Sequence, residues 1–309
     1  MPENKLFPPE GLRPPVHLAL PSLREALESG TVLEAPVQRC DASHTLHIDL
    51  DGIPGRISRS EAIAPWINGA GRDIAVLSRV GKPACFKVVS LRADEKGAPE
   101  AVLSRRAAQE AAMDFFLKHL EPGTVLTCRV TRLEPYGAFV DIGCGIIAIL
   151  PIELMSVSRI GHPGERLREG QKILAAVRSF DRENRRITMT MRELLGTWME
   201  NASRFAPGET VRGTVRSVKD YGSFIELTPN LSGLADARLS PGDEVSVFIK
   251  SIRPERMKIK LQVIEKLPPR EAPEPLRYQI TDGRLDRWTY SPPGYEKDPV
   301  ETVFTAPVP

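Results

Sequence analysis

Tyr136-Gly137-Ala138-Phe139-Val140-Asp141-Ile142-Gly143-Cys144-Gly145 sets an aromatic, a glycine, a small residue and a second aromatic ahead of an apolar run that ends on glycines. Tyr221-Gly222-Ser223-Phe224-Ile225-Glu226-Leu227 repeats it. A fainter third copy lies earlier, where His44 and His47 keep the three-residue spacing without the Tyr and Phe rings. A run that returns at domain-length spacing is an internal repeat, and it decides how the rest of the chain is divided.

Around the first copy, residues 125–133, 139–142 and 146–150 read as strands. A long loop over 151–170 follows, then strands at 172–180 and 186–191 joined by a polar turn at 181–185. Around the second copy the strands fall at 210–218, 223–227, 245–252 and 257–263, with a much shorter loop at 233–242. The faint copy gives strands at 31–40, 45–50, 53–57, 83–91 and 99–104, the last pair joined by a turn at 94–97. Five short strands with a connector between the third and fourth predict a mainly β chain of tandem five-stranded Greek-key barrels of the OB fold.

The modules so defined are 30–106, 123–191 and 207–266. Helical linkers are expected at 107–122 and 192–206. The first is read as a helix over 105–120, with Ala108, Ala111, Ala112, Phe115, Phe116 and Leu120 at helical spacing. The second is read as a helix over 192–204. Both ends are proline-rich. Residues 1–29 carry prolines at 2, 8, 9, 14, 15 and 21, which predicts an extended arm and then a short helix over 21–29 stopped by Gly30. In the tail, 267–309, segments 276–281 and 284–290 flank Asp282-Gly283, a strong hairpin signal.

Composition excludes little. The 309 residues are 41% hydrophobic and 27% charged, with a formal charge of +2, as in an ordinary globular chain. The charge is unevenly spread. Residues 123–192 hold 11 basic and 7 acidic side chains, while the other two modules are each at +2. No apolar run approaches the roughly 20 residues that span a bilayer, so no membrane role is expected. The N-terminus lacks a secretory pattern, and Cys40, Cys85, Cys128 and Cys144 form no C-x-x-C pair. Buried thiols in a cytoplasmic protein are the expectation.

The stretch Gly-Thr-Val…Val-Thr-Arg-Leu-Glu-Pro-Tyr-Gly-Ala-Phe-Val-Asp-Ile over 123–142 resembles the opening of the S-one RNA-binding domain, named for a small-subunit ribosomal protein in which it is repeated. Residues 170–191, with Asp181-Arg182-Glu183-Asn184-Arg185-Arg186-Ile187-Thr188, resemble its closing half. The third module resembles it over 208–227 and 241–247, the first only weakly. The arrangement is similar to short, three-module bacterial S-one-like proteins. The resemblance implies a non-catalytic protein of translation that binds single-stranded mRNA near the small ribosomal subunit. Docking through the first module, a cytoplasmic and ribosome-associated location, and no cofactor are implied with it.

Aromatic platforms in a positive groove are how OB barrels hold single strands, each stacked base being worth about 1–3 kcal/mol. Tyr136 and Phe139 in the second module, and Tyr221 and Phe224 in the third, fit that role. Strict alternation would put Tyr136 and Phe139 on opposite faces, so Gly137 is expected to supply a bulge that brings them together. From the residues alone Phe139 reads equally well as core. By resemblance the face is completed by a histidine, an Asp and an Arg. Asp181 and Arg186 stand at the latter positions, while Pro151 stands at the histidine's, for which His162 in the long loop, beside Arg159, is a candidate substitute. In the third module Lys258 lies near the Arg position, Arg253 holds the aspartate position and Asp236 the histidine position. Basic side chains there are expected to meet phosphate.

Gly143-Cys144-Gly145-Ile146-Ile147-Ala148 matches the loose G-x-G-x-x-A pattern. That pattern needs a helix after the glycines, and an apolar β-type run follows, so it reads as a hairpin turn. The histidines form no ligand cluster, and no catalytic or metal centre is expected. Two other readings remain open on sequence: a protein–protein scaffold, and an RNA-binding accessory subunit of an RNA-processing complex.

Overall fold

The structure, a computed structural model, describes residues 6–14, 16–67, 71–93 and 97–304. In it the strand sets close into three five-stranded barrels, the third completed by a strand at Leu231–Ala235 that the sequence pattern does not mark and partly assigns to the loop at 233–242. The first is built from β1 (Leu33–Cys40), β2 (Leu46–Leu50), β3 (Ile53–Ile57), β4 (Pro83–Ala93) and β5 (Pro99–Ser104), in the order β1-β2-β3-β5-β4. The second uses β6 (Val125–Glu134), β7 (Gly137–Gly143), β8 (Ile146–Pro151), β9 (Lys172–Asp181) and β10 (Arg186–Thr190). The third uses β11 (Thr210–Lys219), β12 (Gly222–Thr228), β13 (Leu231–Ala235), β14 (Glu244–Arg253) and β15 (Lys258–Leu267). Both repeat the same order, and each barrel closes through one parallel pair: β3 with β5, β8 with β10, β13 with β15. The turn expected at 94–97 lies, apart from Gly97, outside the described residues.

Two-residue periodicity builds these cores. Leu46, Ile48 and Leu50 point inward from β2, and Ala138, Val140 and Ile142 from β7, all essentially without exposure. Each fully buried Leu or Ile contributes roughly 1.5–3 kcal/mol of transfer free energy, so the inward set determines the register. All four cysteines are free thiols, with Cys40 half-buried and the other three buried.

Helices precede the first barrel, interrupt it and link it to the second. In α1 (Leu20–Ser29) Pro21 occupies the first turn and Gly30, at φ 68°, ends it. A short α2 (Asp73–Leu77) lies between β3 and β4. In α3 (Arg105–His119) the Ser104 hydroxyl caps the start, accepting the Ala107 N–H at 2.9 Å. Ala108, Ala112 and Phe116, one turn apart, enter the core of the second barrel.

The expected single helix over 192–204 is broken. A 3₁₀ turn at Arg192–Leu195 is followed by Gly196 at φ 89° and then α4 (Trp198–Ala202), capped by Thr197 and Glu200. The Leu194 carbonyl, which a continuous helix would use, instead accepts the Gln279 N–H at 2.8 Å.

The tail hairpin is likewise corrected. Segments 276–281 and 284–290 do not pair across Asp282-Gly283. β16 (Arg287–Thr289) pairs with β17 (Glu301–Val303) instead. The Gly283 carbonyl accepts the Val125 N–H at 2.9 Å, and the Leu285 N–H reaches the Gly123 carbonyl at 3.0 Å. The start of the second barrel has claimed the backbone groups a local hairpin would need. Gly123 permits this, since a Cβ there would lie 1.9 Å from the Leu285 carbonyl oxygen. Trp288, Tyr290 and Phe304 are buried in the core of the third barrel, and the Tyr278 hydroxyl accepts the Leu174 N–H of the second at 3.1 Å. The aromatics of the tail strap the two barrels together and are not free to fill a partner's pockets.

The N-terminal arm is a second strap. Glu10, 3% exposed, holds Arg105 at 2.7 and 3.0 Å and Arg79 at 2.8 Å, and accepts the Cys85 N–H. Its own N–H donates to Asp141 of the second barrel at 2.8 Å. Burial works to raise the Glu10 pKa, but the two guanidiniums outweigh it and bring it down to about 2. Asp141 has no such partner in contact. Burial, and then the charge of Glu10, push it up to about 7.

Candidate nucleic-acid interface

The two aromatic pairs have almost the same geometry. Tyr136 and Phe139 lie 6.2 Å apart between ring centroids at 89°, and Tyr221 and Phe224 lie 6.3 Å apart at 83°. Edge-to-face packing of this kind leaves an open ring face on each pair member. Tyr136 is 59% exposed and Tyr221 63%, while Phe139 and Phe224 are half-buried on the outer side of their strands.

The expected origin of this arrangement needs correction. Tyr136 and Tyr221 sit in the turns before β7 and β12, so strand alternation does not govern them. The register irregularity is in the partner strand, between Val130 and Arg132 of β6 and between Val215 and Ser217 of β11. Gly137 and Gly222 serve a different purpose, because a Cβ on them would come within 2.5 Å of the Leu150 carbonyl and 2.4 Å of the Ala235 carbonyl. Glycine there lets the turn press onto the third strand and stands the tyrosine beside the phenylalanine.

Around the second pair, Phe139 and Arg186 line one cleft of about 660 Å³. Asp181 does not line it. It accepts the Asn184 N–H at 3.0 Å and the Asn184 side-chain amide at 2.7 Å, and these bonds hold its carboxyl below the usual range. Asp181 thus builds the hairpin turn that presents Arg185 and Arg186, both exposed. Around the third pair, Tyr221, Phe224, Asp236, Arg253 and Lys258 line a single cleft of about 520 Å³, joined by Lys260. Here the two aromatics, Asp236, Arg253 and Lys258 share one cleft.

His162 and Arg159 do not reach the aromatic face. The His162 Nδ1 accepts the Gly164 N–H at 3.0 Å, capping a 3₁₀ turn, and Arg159 is exposed in the same loop. The loop has a different occupation: it docks on the third barrel. Arg166, 5% exposed, pairs with Glu226 through both guanidinium nitrogens. Arg216 joins Glu226 at 2.9 and 3.0 Å and also meets Glu165. Ser158 meets Ser232 at 2.8 Å. In the first barrel His47 lies 2.7 Å from Asp41 and His44 lies 3.7 Å from Asp73, so acids occupy both rings.

Side chains that no sequence motif marked also line the second cleft: Trp66 of the first module, Ile147 and Arg132. Ile147, 42% exposed, could have been found from the alternation along β8, in which Ile147 and Ile149 face outward between buried residues. Trp66 carries no local signal, because its place is set by a fold contact between modules.

Tandem OB barrels bearing exposed aromatic pairs beside cations define a class of single-strand-binding architecture. Within it, residues 119–192 match the S1 RNA binding domain, so the second barrel is an S1 domain. The chain is similar to the small ribosomal subunit protein bS1 homolog of Bacillus subtilis, 31% identical over 65% of this chain and 57% of that protein. It is also similar to the small ribosomal subunit protein bS1 of Neisseria meningitidis, 31% identical over 78% of this chain and 44% of that one. The chain therefore spans about half the length of the curated relatives it matches. Among solved structures, that of GSP13 from Bacillus subtilis is 26% identical over 29% of this chain and 63% of its own, with a TM-score of 0.23.

Proposed function

We propose that the chain binds single-stranded RNA, mRNA in particular, without catalysis, and that it acts in translation at the small ribosomal subunit. The observation that carries this reading is the pair of near-identical aromatic faces, at 6.2 and 6.3 Å, each beside exposed cations, in a chain whose second barrel is an S1 domain. Stacking favours unpaired bases, because a duplex offers no free ring face. Tyr136, Phe139 and Arg186 form one contact surface, and Tyr221, Phe224, Arg253 and Lys258 the other. Asp181 positions the arginine. The first barrel, whose histidines are paired with acids, docks on the subunit, and the protein works in the cytoplasm.

A fluorescence-anisotropy titration with single-stranded and duplex RNA of one sequence tests the binding. Preference for the single strand, lost in Tyr136→Ala/Phe139→Ala, is the expected result; equal binding of both forms by that variant and the parent would sink it. Sucrose-gradient fractionation of lysate with and without ribonuclease tests the location. Co-migration with small subunits is expected. RNA-bound complexes free of ribosomes would point to an RNA-processing assembly instead.

A further inference from the structure

The cleft beside Phe139 is not made by the second barrel alone. Trp66 belongs to the connection between β3 and β4 of the first module, yet it lines this cleft and packs half-buried against the second barrel. Its turn is held from below. The buried Ala64 donates its N–H to the Gln109 side chain on α3 at 2.9 Å, and the Ile67 N–H closes back on the Ala64 carbonyl at 3.0 Å. The Arg185 guanidinium stands 5.1 Å from the centre of the Trp66 ring. Arg185 itself is fixed in the left-handed region, at φ 53°, by the turn that Asp181 and Asn184 build. An indole with a cation over its ring, next to an apolar floor at Ile147 and a phenyl ring at Phe139, is a surface that suits a flat heteroaromatic ring joined to a phosphate.

We propose that Trp66 is a base-stacking residue of the second barrel's RNA site, so that the site is completed by the first module. This inference rests on the reading of the second barrel as an RNA-binding surface. A strand stacked on Tyr136 and Phe139 then continues toward the first module, where a base takes the place of the Arg185 guanidinium over the Trp66 ring and Arg185 turns to the adjoining phosphate.

The chain supplies its own probe. Of its three tryptophans, Trp198 and Trp288 are buried at 2% and 5% exposure, so quenching of indole emission by a bound base reports on Trp66. The full chain is titrated with an oligouridylate of about 10 nucleotides, following both tryptophan emission and the anisotropy of a label on the RNA. Saturable quenching that tracks the anisotropy is expected. An abasic oligonucleotide of the same length, which brings phosphates without rings, should leave the emission unchanged. Trp66→Ala should weaken binding about tenfold, and Trp66→Phe should restore it to within about threefold, as loss and return of one stacking ring require.

RNA that binds with unchanged emission overturns the proposal, as does a folded Trp66→Ala that binds like the parent. If Trp66→Ala unfolds the first module, the quenching of the unmodified chain decides by itself. Failure of the underlying reading looks different: no RNA binding by the parent chain, or an affinity unchanged in Tyr136→Ala/Phe139→Ala, removes the site and this inference with it.

Discussion

The second and third barrels carry the same aromatic pair in different surroundings. Both pairs come from a turn tyrosine, a glycine pressed onto the next strand and an outward phenylalanine, and their centroid distances differ by only 0.1 Å. Their neighbours diverge. Of the second pair only Phe139 lines the neighbouring cleft, whose walls include the isoleucines of β8, Arg132, Arg185 and Arg186, and Trp66 from another module. The third opens onto its own basic hairpin, Arg253, Lys258 and Lys260, with Asp236 at the edge. A repeat copies what local backbone geometry dictates, and the neighbours of each copy decide what its face can hold.

The largest effect should come from taking the first module away from the second barrel. Glu10→Ala leaves Arg105, 4% exposed, as a buried charge without its carboxylate, which should cost about 3–5 kcal/mol in denaturant unfolding. A loss below about 1 kcal/mol would show that the arm does not hold the modules together. The same contact makes stability depend on pH from two sides. Glu10 has a folded pKa lowered to about 2, so its contribution is present above its ordinary 4.5 and is lost as the pH falls toward 2. Asp141 is raised to about 7, so unfolding is increasingly favoured as the pH rises from 3.8 to 7 and the unfolded carboxyl ionises first. Glu10→Gln should remove the acid-side contribution and, by taking away the charge that raises Asp141, also weaken the loss toward pH 7, which thermal melts of variant and parent across pH 2–7 would show.

Next in size, Tyr136→Ala/Phe139→Ala should weaken single-stranded RNA binding by about tenfold or more while the second barrel stays folded, as checked by circular dichroism. Tyr221→Ala/Phe224→Ala should cost less, about threefold, if the third face works chiefly through charge. Equal losses would erase the contrast between the two faces. The last effect is read in the salt dependence and not at a single salt concentration. Arg253→Ala/Lys258→Ala should flatten the dependence of log K on log salt by about 1.4, at about 0.7 per phosphate contact. An unchanged slope would mean that these side chains meet no phosphate.

Much of this was legible from residue order. Leu46, Ile48 and Leu50, or Ala138, Val140 and Ile142, announce a half-buried strand by alternation, because a pleated backbone leaves no other way to bury them together. In the third module the neighbourhood of Phe224, Arg253 and Lys258 was legible because Arg253 opposes Lys258 across one hairpin, but the strand that carries Leu234 opposite Phe224 was not, its short run reading in part as loop. His162 was misread because a basic, histidine-bearing loop looks the same whether it faces solvent or another barrel. Its neighbour Arg166 shows which, buried on Glu226, 60 residues away. The tail hairpin failed for a related reason. Asp282-Gly283 is a sound turn signal, but the backbone of Gly123 and Val125 offered the same hydrogen bonds with the burial of Trp288 and Tyr290 added.

By itself, then, the sequence determined three tandem β modules, most of their strands and two aromatic pairs, because these follow from periodicity and from repeated local motifs. Only the tertiary structure decided that the proline-rich arm buries Glu10 against Arg105, that the tail straps the second barrel to the third, and that Trp66 stands in the second barrel's cleft. Each of those depends on groups from 45 to over 150 residues apart. Such contacts are selected by the shape and charge left exposed after the barrels have closed, which no local pattern records.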